Sequence, residues 1–221
     1  MGIGVTIERA LSDWRRWRRE RQPGPLGEFH RSTGDALLTG DLPVASSDTV
    51  LDVGGYQGNW TSEMLSRYGC RSVIFEPVPE FAASIRRRFH SNDRVQVFEA
   101  GLAAQDTTVD MYLSQDGSSV FNRGSFPKTS VRMRDVTAVF GELDLAGIAC
   151  MKINIEGGEF DLLDRMFTSD LHKRTRCFLI QFHDVSSDSA SRRTTIQSRL
   201  AAAHRKVFDY PFVWERWDKG Q

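Results

Sequence analysis

Short apolar runs alternate with stretches of helical spacing along the chain from about residue 48 onward. The runs are rich in β-branched and aromatic side chains, which is typical of buried strands. The stretches between them place apolar residues three or four positions apart, as on one face of a helix. The pattern predicts strands at 49–53, 72–76, 94–98, 149–155 and 177–182, and helices at 59–68, 80–90 and 159–167. This alternation predicts an α/β fold with a doubly wound, mainly parallel sheet and helices on both faces.

Two stretches depart from the simple alternation. Residues 107–134 contain three short β-type segments, which predict a β insert between the third and fourth strands. The tail at 207–217 has aromatic and β-branched residues around Tyr210-Pro211, which predicts two antiparallel strands joined by a turn. We therefore divide the chain into an N-terminal helical extension, 1–48, and one domain, 49–221.

The extension begins with a basic, tryptophan-bearing pattern. Residues 7–22 predict a helix in which Trp14 and Trp17 share an apolar stripe, with five arginines beside or opposite it. Pro23 ends this helix. We expect the tryptophan face to pack on the domain or on a second copy, as in a homodimer. The alternative is peripheral contact with an anionic membrane surface.

Composition narrows the classes of protein. The 221 residues include 29 Lys and Arg against 29 Asp and Glu, a formal net charge of zero. This balance excludes a strongly charged disordered chain and provides no overall field to attract nucleic acid, so we expect no nucleic-acid partner. The three cysteines are widely spaced, as for buried thiols in a reducing compartment. We find no apolar run of membrane-spanning length and no signal peptide, and we expect a cytoplasmic protein.

A glycine-rich turn follows the first strand. Gly54, Gly55 and Gly58 allow the backbone to approach a ligand closely. Tyr56 stands where a dinucleotide-binding turn needs its second glycine, which argues against a pyrophosphate. Asp52, just before the turn, would repel a pyrophosphate but suits the cationic amino-acid end of S-adenosylmethionine, directly or through water.

An acid stands at the end of the second strand. Glu76 follows the turn by about 20 residues, the spacing at which a carboxylate holds a ribose diol. The turn and the acid together predict an adenosine-containing cofactor. With Asp52, the prediction becomes S-adenosylmethionine.

Three motifs resemble a known family. The stretch 150–160 (CMKINIEGGEF) resembles the K-I-D-V-E-G-x-E signature of FkbM-type methyltransferases. Phe75-Glu76-Pro77 resembles the F-E-P of that family after its second strand, and Ile180-Gln181-Phe182-His183 resembles the end of its fifth strand. The resemblance covers about residues 49–217. It implies a Class I, S-adenosylmethionine-dependent enzyme that methylates hydroxyls of sugars, polyketides and related compounds. It also implies a seven-stranded Rossmann-like sheet of order 3-2-1-4-5-7-6 with strand seven antiparallel, which fits the tail hairpin.

The resemblance extends to further site residues. It implies that Pro77 lies at the cofactor, with Ala100, Gly101 and Leu102 near the adenine, where the family often has an Asn-containing segment. The Asp of K-I-D is Asn154 here. An amide neither takes a proton as a carboxylate does nor binds a cation as well, so we expect no metal.

The carboxyl ends of strands four and five carry the candidate catalytic residues Asn154, Glu156 and His183. His183 is the preferred general base, because its unperturbed pKa lies near neutrality. The alternative is a structural histidine held by hydrogen bonds. Glu156 either orients the acceptor or caps the following helix. Lys152, on a central strand, is expected to pair with an acid.

The leading hypothesis is an O-methyltransferase that acts on a hydroxyl of a sugar, glycan or secondary metabolite. A nucleic-acid methyltransferase is the alternative within enzymes, although the fourth strand lacks a D/N-P-P-[YFW] tetrapeptide. The alternative from another class is a non-catalytic S-adenosylmethionine-binding module that acts through a partner.

Overall fold

The computed structural model describes residues 21–32, 34–114, 117–119 and 128–220. The predicted helix at 7–22 lies outside these residues apart from its last two. The dimer and membrane contacts assigned to it therefore stay predictions.

Eleven strands are described, seven of which form the main sheet. In chain order they are β1 (Thr49–Val53), β2 (Arg71–Phe75), β3 (Val95–Phe98), β4 (Gly101–Ala103), β5 (Thr107–Ser114), β6 (Gly117–Ser119), β7 (Lys128–Asp135), β8 (Ile148–Ile153), β9 (Thr175–Ile180), β10 (His204–Tyr210) and β11 (Trp214–Lys219). The main sheet has the order β3-β2-β1-β8-β9-β11-β10. Strand β11 runs antiparallel to both of its neighbours, and the other pairs are parallel. The predicted order 3-2-1-4-5-7-6 with an antiparallel strand seven is confirmed.

The β insert is confirmed as a separate small sheet. Its order is β4-β7-β5-β6, and it contains the strands between β3 and β8. Strand β7 pairs in parallel with β4 and antiparallel with β5. The second sheet therefore begins where the third strand of the main sheet ends.

Helices cover the main sheet. They are α1 (Pro25–Arg31), α2 (Asn59–Tyr68), α3 (Pro79–Arg88), α4 (Val136–Glu142), α5 (Glu159–Thr168) and α6 (Ser189–Leu200). The predicted helix at 59–68 is confirmed residue for residue, and α3 and α5 differ from the predictions by one or two residues at their ends. No helix in the described ranges is long and apolar enough to cross a membrane.

The core consists of two hydrophobic clusters on opposite faces of the main sheet. Leu51 and Val53 belong to one cluster and Val50 to the other, because side chains alternate along a strand. Phe29 and Leu38, from the N-terminal extension, are buried in the second cluster. The described part of the extension thus packs onto the sheet. All three cysteines are buried free thiols, as predicted.

The central strands end earlier than predicted. Strand β8 ends at Ile153 rather than at residue 155, and β9 ends at Ile180 rather than at residue 182. The physical reason at β8 is a left-handed turn, with φ of 54° at Glu156 and 107° at Gly157. Asn154 and Glu156 therefore lie beyond the strand end, and the turn takes Glu156 out of the strand face that holds Lys152.

Candidate functional site

The glycine turn lies between β1 and α2 and is packed tightly against its neighbours. Gly54 has a φ of 84°, and a Cβ there would lie 2.0 Å from the carbonyl oxygen of Asn154. A Cβ on Gly55 would lie 2.4 Å from Cγ2 of Ile74. Gly58, with a φ of 73°, approaches a phenylalanine ring of the α3 segment. These glycines are needed for close packing within the protein, a reason that the sequence did not reveal.

Glu76 holds this turn to the end of β2. Its side chain is buried, with 4% of the residue exposed. Oε2 accepts a hydrogen bond from the backbone N–H of Tyr56 at 2.7 Å, and Oε1 accepts one from Val78 at 2.9 Å. Burial raises the pKa of the carboxyl group, and the two backbone donors lower it by a smaller amount. Each oxygen keeps a second acceptor position. The residue can therefore still accept hydrogen bonds from a ribose diol.

Asp52 is enclosed by protein. Its carboxylate is fully buried and accepts hydrogen bonds from Thr61 Oγ1 at 2.9 Å and from Lys152 Nζ at 2.9 Å. Lys152 Nζ also donates to the carbonyl oxygen of Gly54 at 2.7 Å. Asp52 and Lys152 are directly paired in the β1–β8 register, which explains the contact. The acid expected to pair with Lys152 is thus Asp52. This geometry corrects the idea of a direct contact between Asp52 and the cofactor, because the side chain has no exposed surface.

The predicted adenine-side residues lie at the junction of the two sheets. Ala100 and Leu102 are buried, and Leu102 belongs to the main core cluster. Gly101 lies between Met133 and Pro77, and a Cβ there would require the end of the methionine side chain to move. Only the backbone of Leu102 is therefore left for a ligand contact, since its side chain packs against protein.

Asn154 carries an unsatisfied acceptor. Its backbone N–H donates to Val53 O at 3.0 Å, which continues the β1–β8 pairing by one residue. Its side-chain Oδ1 is buried and has no hydrogen-bond partner. Buried polar atoms are nearly always paired, so an unpaired oxygen beside the glycine turn marks a position for a ligand donor.

His183 lies beyond the end of β9 between two carboxylates. Its Nδ1 lies 3.0 Å from Oε1 of Glu159, and its Nε2 lies 3.5 Å from Oε1 of Glu156. The exposed fraction of the side chain is 16% for His183, 36% for Glu156 and zero for Glu159. The structure therefore brings two of the predicted catalytic residues into contact and adds a third group.

The two carboxylates change the acid–base behaviour of the ring. Burial by itself lowers the pKa of His183, but hydrogen bonds and charge from Glu156 and Glu159 outweigh burial and raise the pKa from 6.5 to about 9. In this environment the pKa of His183 therefore lies above the unperturbed value that suggested the residue as a base. The ring is cationic at pH 7.

Sequence reasoning missed Glu159. The residue begins α5, and its Oε2 accepts a hydrogen bond from the backbone N–H of Gly157 at 2.9 Å. The signal was present, since Glu159 is the last acid of the signature-like stretch. Glu156 was considered as the helix cap, but α5 has Gly158 at its N-cap and no side-chain cap there. Within the described ranges, no cluster of His, Cys, Asp and Glu is arranged to hold a metal ion.

Comparisons with known proteins identify the family and the fold. The sequence matches the methyltransferase FkbM domain family over residues 52–204. No curated protein matches the sequence. The structure is similar to the crystal structure of methyltransferase FkbM from Methylobacillus flagellatus KT, with a TM-score of 0.56 and 15% sequence identity. That match covers 97% of this chain and 60% of the other, so this chain spans less than two thirds of its relative.

A second solved structure shares the fold. A putative rRNA-methylase from Clostridium thermocellum matches with a TM-score of 0.51 and 12% identity, over 90% of this chain and 98% of the other. At this identity the likeness concerns the fold alone.

Proposed function

Because the chain belongs to the FkbM methyltransferase family, we propose that it transfers the methyl group of S-adenosylmethionine to a hydroxyl of a sugar, glycan or secondary metabolite. One observation carries the hydroxyl assignment. A histidine with two carboxylate partners lies beyond the carboxyl ends of β8 and β9, at the edge of the sheet where the glycine turn also lies. A hydroxyl becomes a better nucleophile when a neighbouring group takes its proton, and the His183 ring can do so in its neutral form, which predominates above a pH of about 9.

The residues at the carboxyl ends of β1, β2 and β8 fit the cofactor. Glu76 keeps free acceptor positions for the ribose hydroxyls. Asn154 is a partly exposed residue whose Oδ1 has no partner within the protein, unlike the engaged carboxylate of Asp52, and it is our candidate acceptor for the ammonium group. Asp52 acts indirectly, since it holds Lys152, which in turn holds the carbonyl of Gly54.

When bound, S-adenosylmethionine supplies a methyl group on a sulfonium sulfur, a good leaving group. The protein has to hold the acceptor oxygen in line with that methyl group and remove its proton. His183 takes the proton, and the partly exposed carboxylate of Glu156 accepts a hydrogen bond from the acceptor. Glu156→Gln is therefore expected to raise the KM for the acceptor.

Cofactor binding is the first test. Titration calorimetry with S-adenosylmethionine and S-adenosylhomocysteine should detect binding, and Glu76→Ala should weaken it by about 1–3 kcal/mol, the loss expected for hydrogen bonds to a charged group. Glu80→Ala is the matched control, because Glu80 is an exposed acid four residues further on at the start of α3. Failure of the wild-type protein to bind either compound contradicts the proposal.

Turnover is the second test. The protein is incubated with labelled S-adenosylmethionine and panels of glycans, hydroxylated metabolites and RNA. A labelled methyl ether on a sugar or metabolite supports the proposal, and His183→Ala should lower the rate about 100-fold or more while cofactor affinity changes little. Label in RNA would instead support a nucleic-acid methyltransferase. Cofactor binding without transfer to any panel would support a non-catalytic binding module.

A further inference from the structure

Glu159 makes three hydrogen bonds that join separate elements of the fold. Oε1 accepts from the backbone N–H of His183 at 2.7 Å and contacts Nδ1 of the same residue at 3.0 Å. Oε2 accepts from the backbone N–H of Gly157 at 2.9 Å. The carboxylate thus connects the start of α5, the loop after β8 and the segment after β9. A fully buried carboxylate in this position stays in place only because all of these donors point at it.

The contact at Nδ1 determines where the ring carries its proton. A carboxylate only accepts hydrogen bonds, so Nδ1 must be the donor. When the ring is neutral, its lone pair is therefore on Nε2. That atom faces Glu156 at 3.5 Å, a distance longer than an ordinary hydrogen bond, and Glu156 is the more exposed of the two acids.

Accordingly, we infer that Glu159 is a positioning residue that keeps Nδ1 of His183 protonated and turns Nε2 towards the acceptor, so that Nε2 is the atom that takes the proton. This inference rests on the proposed function. The O–H bond of the acceptor would break as the N–H bond forms on Nε2, and an oxygen electron pair would form the new bond to the methyl carbon while the methyl–sulfur bond breaks and leaves its electron pair on the sulfur. The positive charge that leaves the sulfonium thus ends on the imidazolium, between Glu156 and Glu159.

Two other charged residues on neighbouring segments do not act on the ring. Arg192, on α6, pairs with Asp161 and Asp164, and its guanidinium lies 5.0 Å from the ring centroid of Phe160. Asp184 follows His183 in the chain but is exposed. Glu156 and Glu159 are therefore the two acids that hold the proton on the ring, in agreement with its raised pKa.

Nuclear magnetic resonance of the full-length protein, with ¹⁵N-labelled histidine, tests the positioning without any need for turnover. In wild-type protein, the neutral His183 ring should carry its proton on Nδ1, and the ring should titrate with a pKa of about 9, above the 6.5 of an ordinary histidine. Glu159→Gln should lower that pKa by at least one unit, because the amide removes the buried charge. A neutral ring protonated on Nε2 in wild-type protein, or an unchanged pKa in the variant, overturns the inference.

The pH dependence of turnover gives the second readout. In wild-type protein, kcat should rise with pH through about 9, where His183 loses its proton. In Glu159→Gln, this rise of kcat with pH, the limb of the profile, should move to lower pH by the same amount as the measured pKa of His183 falls. The plateau above the limb should fall about tenfold, because a less basic ring is a weaker proton acceptor. A uniform loss of rate with an unmoved limb would mean that Glu159 only supports the structure, and would also overturn the inference.

The matched control is Asp161→Asn. Asp161 lies two residues further along α5, its side chain is 70% exposed, and it pairs with Arg192. This variant should leave the pKa of His183 and the pH limb unchanged. If wild-type protein binds S-adenosylmethionine but methylates nothing, the proposed function fails, while the resonance measurements still decide the role of Glu159.

Discussion

At the scale of single residues, the buried pair of Asp52 and Lys152 supports the glycine turn. The two side chains lie on adjacent central strands, and the lysine also holds the carbonyl of Gly54. Removing one partner of a buried ion pair leaves an uncompensated charge, which costs more than the pair contributes when intact.

We therefore predict that Lys152→Met lowers the free energy of unfolding by about 3–5 kcal/mol. Urea denaturation followed by circular dichroism measures this loss. The double variant Asp52→Asn with Lys152→Met should recover part of it, since no buried charge remains unpaired. Surface ion pairs contribute below about 1 kcal/mol. A decrease of that size in the free energy of unfolding of the single variant would contradict the burial of the pair.

His183 also makes stability depend on pH. Its folded-state pKa of about 9 lies above the unfolded value of 6.5, so the protonated ring stabilises the fold. This contribution is fully present below pH 6.5 and is lost as the pH rises through 9. At 1.36 kcal/mol per pKa unit, the loss amounts to at most about 3 kcal/mol.

Urea denaturation at pH 7 and pH 9.5 measures this difference. His172 and His204 have pKa values lowered chiefly by burial, so they are neutral throughout this range. Thiols that ionise in the unfolded chain also weaken the fold at high pH, and His183→Gln is the control that isolates the histidine. If the free energy of unfolding depended equally on pH in wild-type protein and in His183→Gln, the prediction would be refuted.

At the scale of elements, helix α1 completes one face of the main sheet. Phe29 on this helix is buried, and its ring meets that of Tyr210 on β10 edge-on, with centroids 5.5 Å apart. The preceding Gly24 and Pro25 start the helix, with proline at its first position. The helix therefore behaves as part of the domain core.

Phe29→Ala should lower the free energy of unfolding by about 3–5 kcal/mol, because it leaves a cavity against the sheet. Leu26→Ala is the matched control on the same helix, since Leu26 is 40% exposed and should change stability by about 0.5 kcal/mol or less. Thermal and urea unfolding measure both variants. Similar losses in the two would show that α1 does not pack as described.

At the scale of the whole molecule, cofactor binding is coupled to folding. The turn after β1, the end of β2 and the loop after β8 meet only in the folded chain, so a ligand held there stabilises the native state. At a concentration 100 times its Kd, S-adenosylhomocysteine should add about 2.7 kcal/mol to the free energy of unfolding. Differential scanning fluorimetry should show a higher Tm with this ligand, and NAD should cause no rise. A higher Tm with NAD would contradict the inference that Tyr56 argues against dinucleotide binding.

The sequence by itself determined the architecture and singled out part of the candidate site. The alternation of strand and helix patterns predicted a mainly parallel sheet, the β insert and the terminal hairpin, because each of these follows from local periodicity and short connections. The order of the strands was implied by the resemblance to the FkbM family. Gly54 and Glu76 were recognised from their spacing along the chain, which is set by the strand–turn–helix–strand unit that contains them. Such features need only the residues close to them in the chain.

Only the tertiary structure decided which charges meet. Asp52 pairs with Lys152 across 100 positions of the chain, and Glu159 meets His183 across 24. Periodicity assigns a residue to a face or a strand end, but it does not tell which distant side chain lies opposite or how deeply the pair is buried. The pKa of His183 depends on that burial and on those partners, so its acid–base role could not be derived until the carboxyl ends of the strands were brought together.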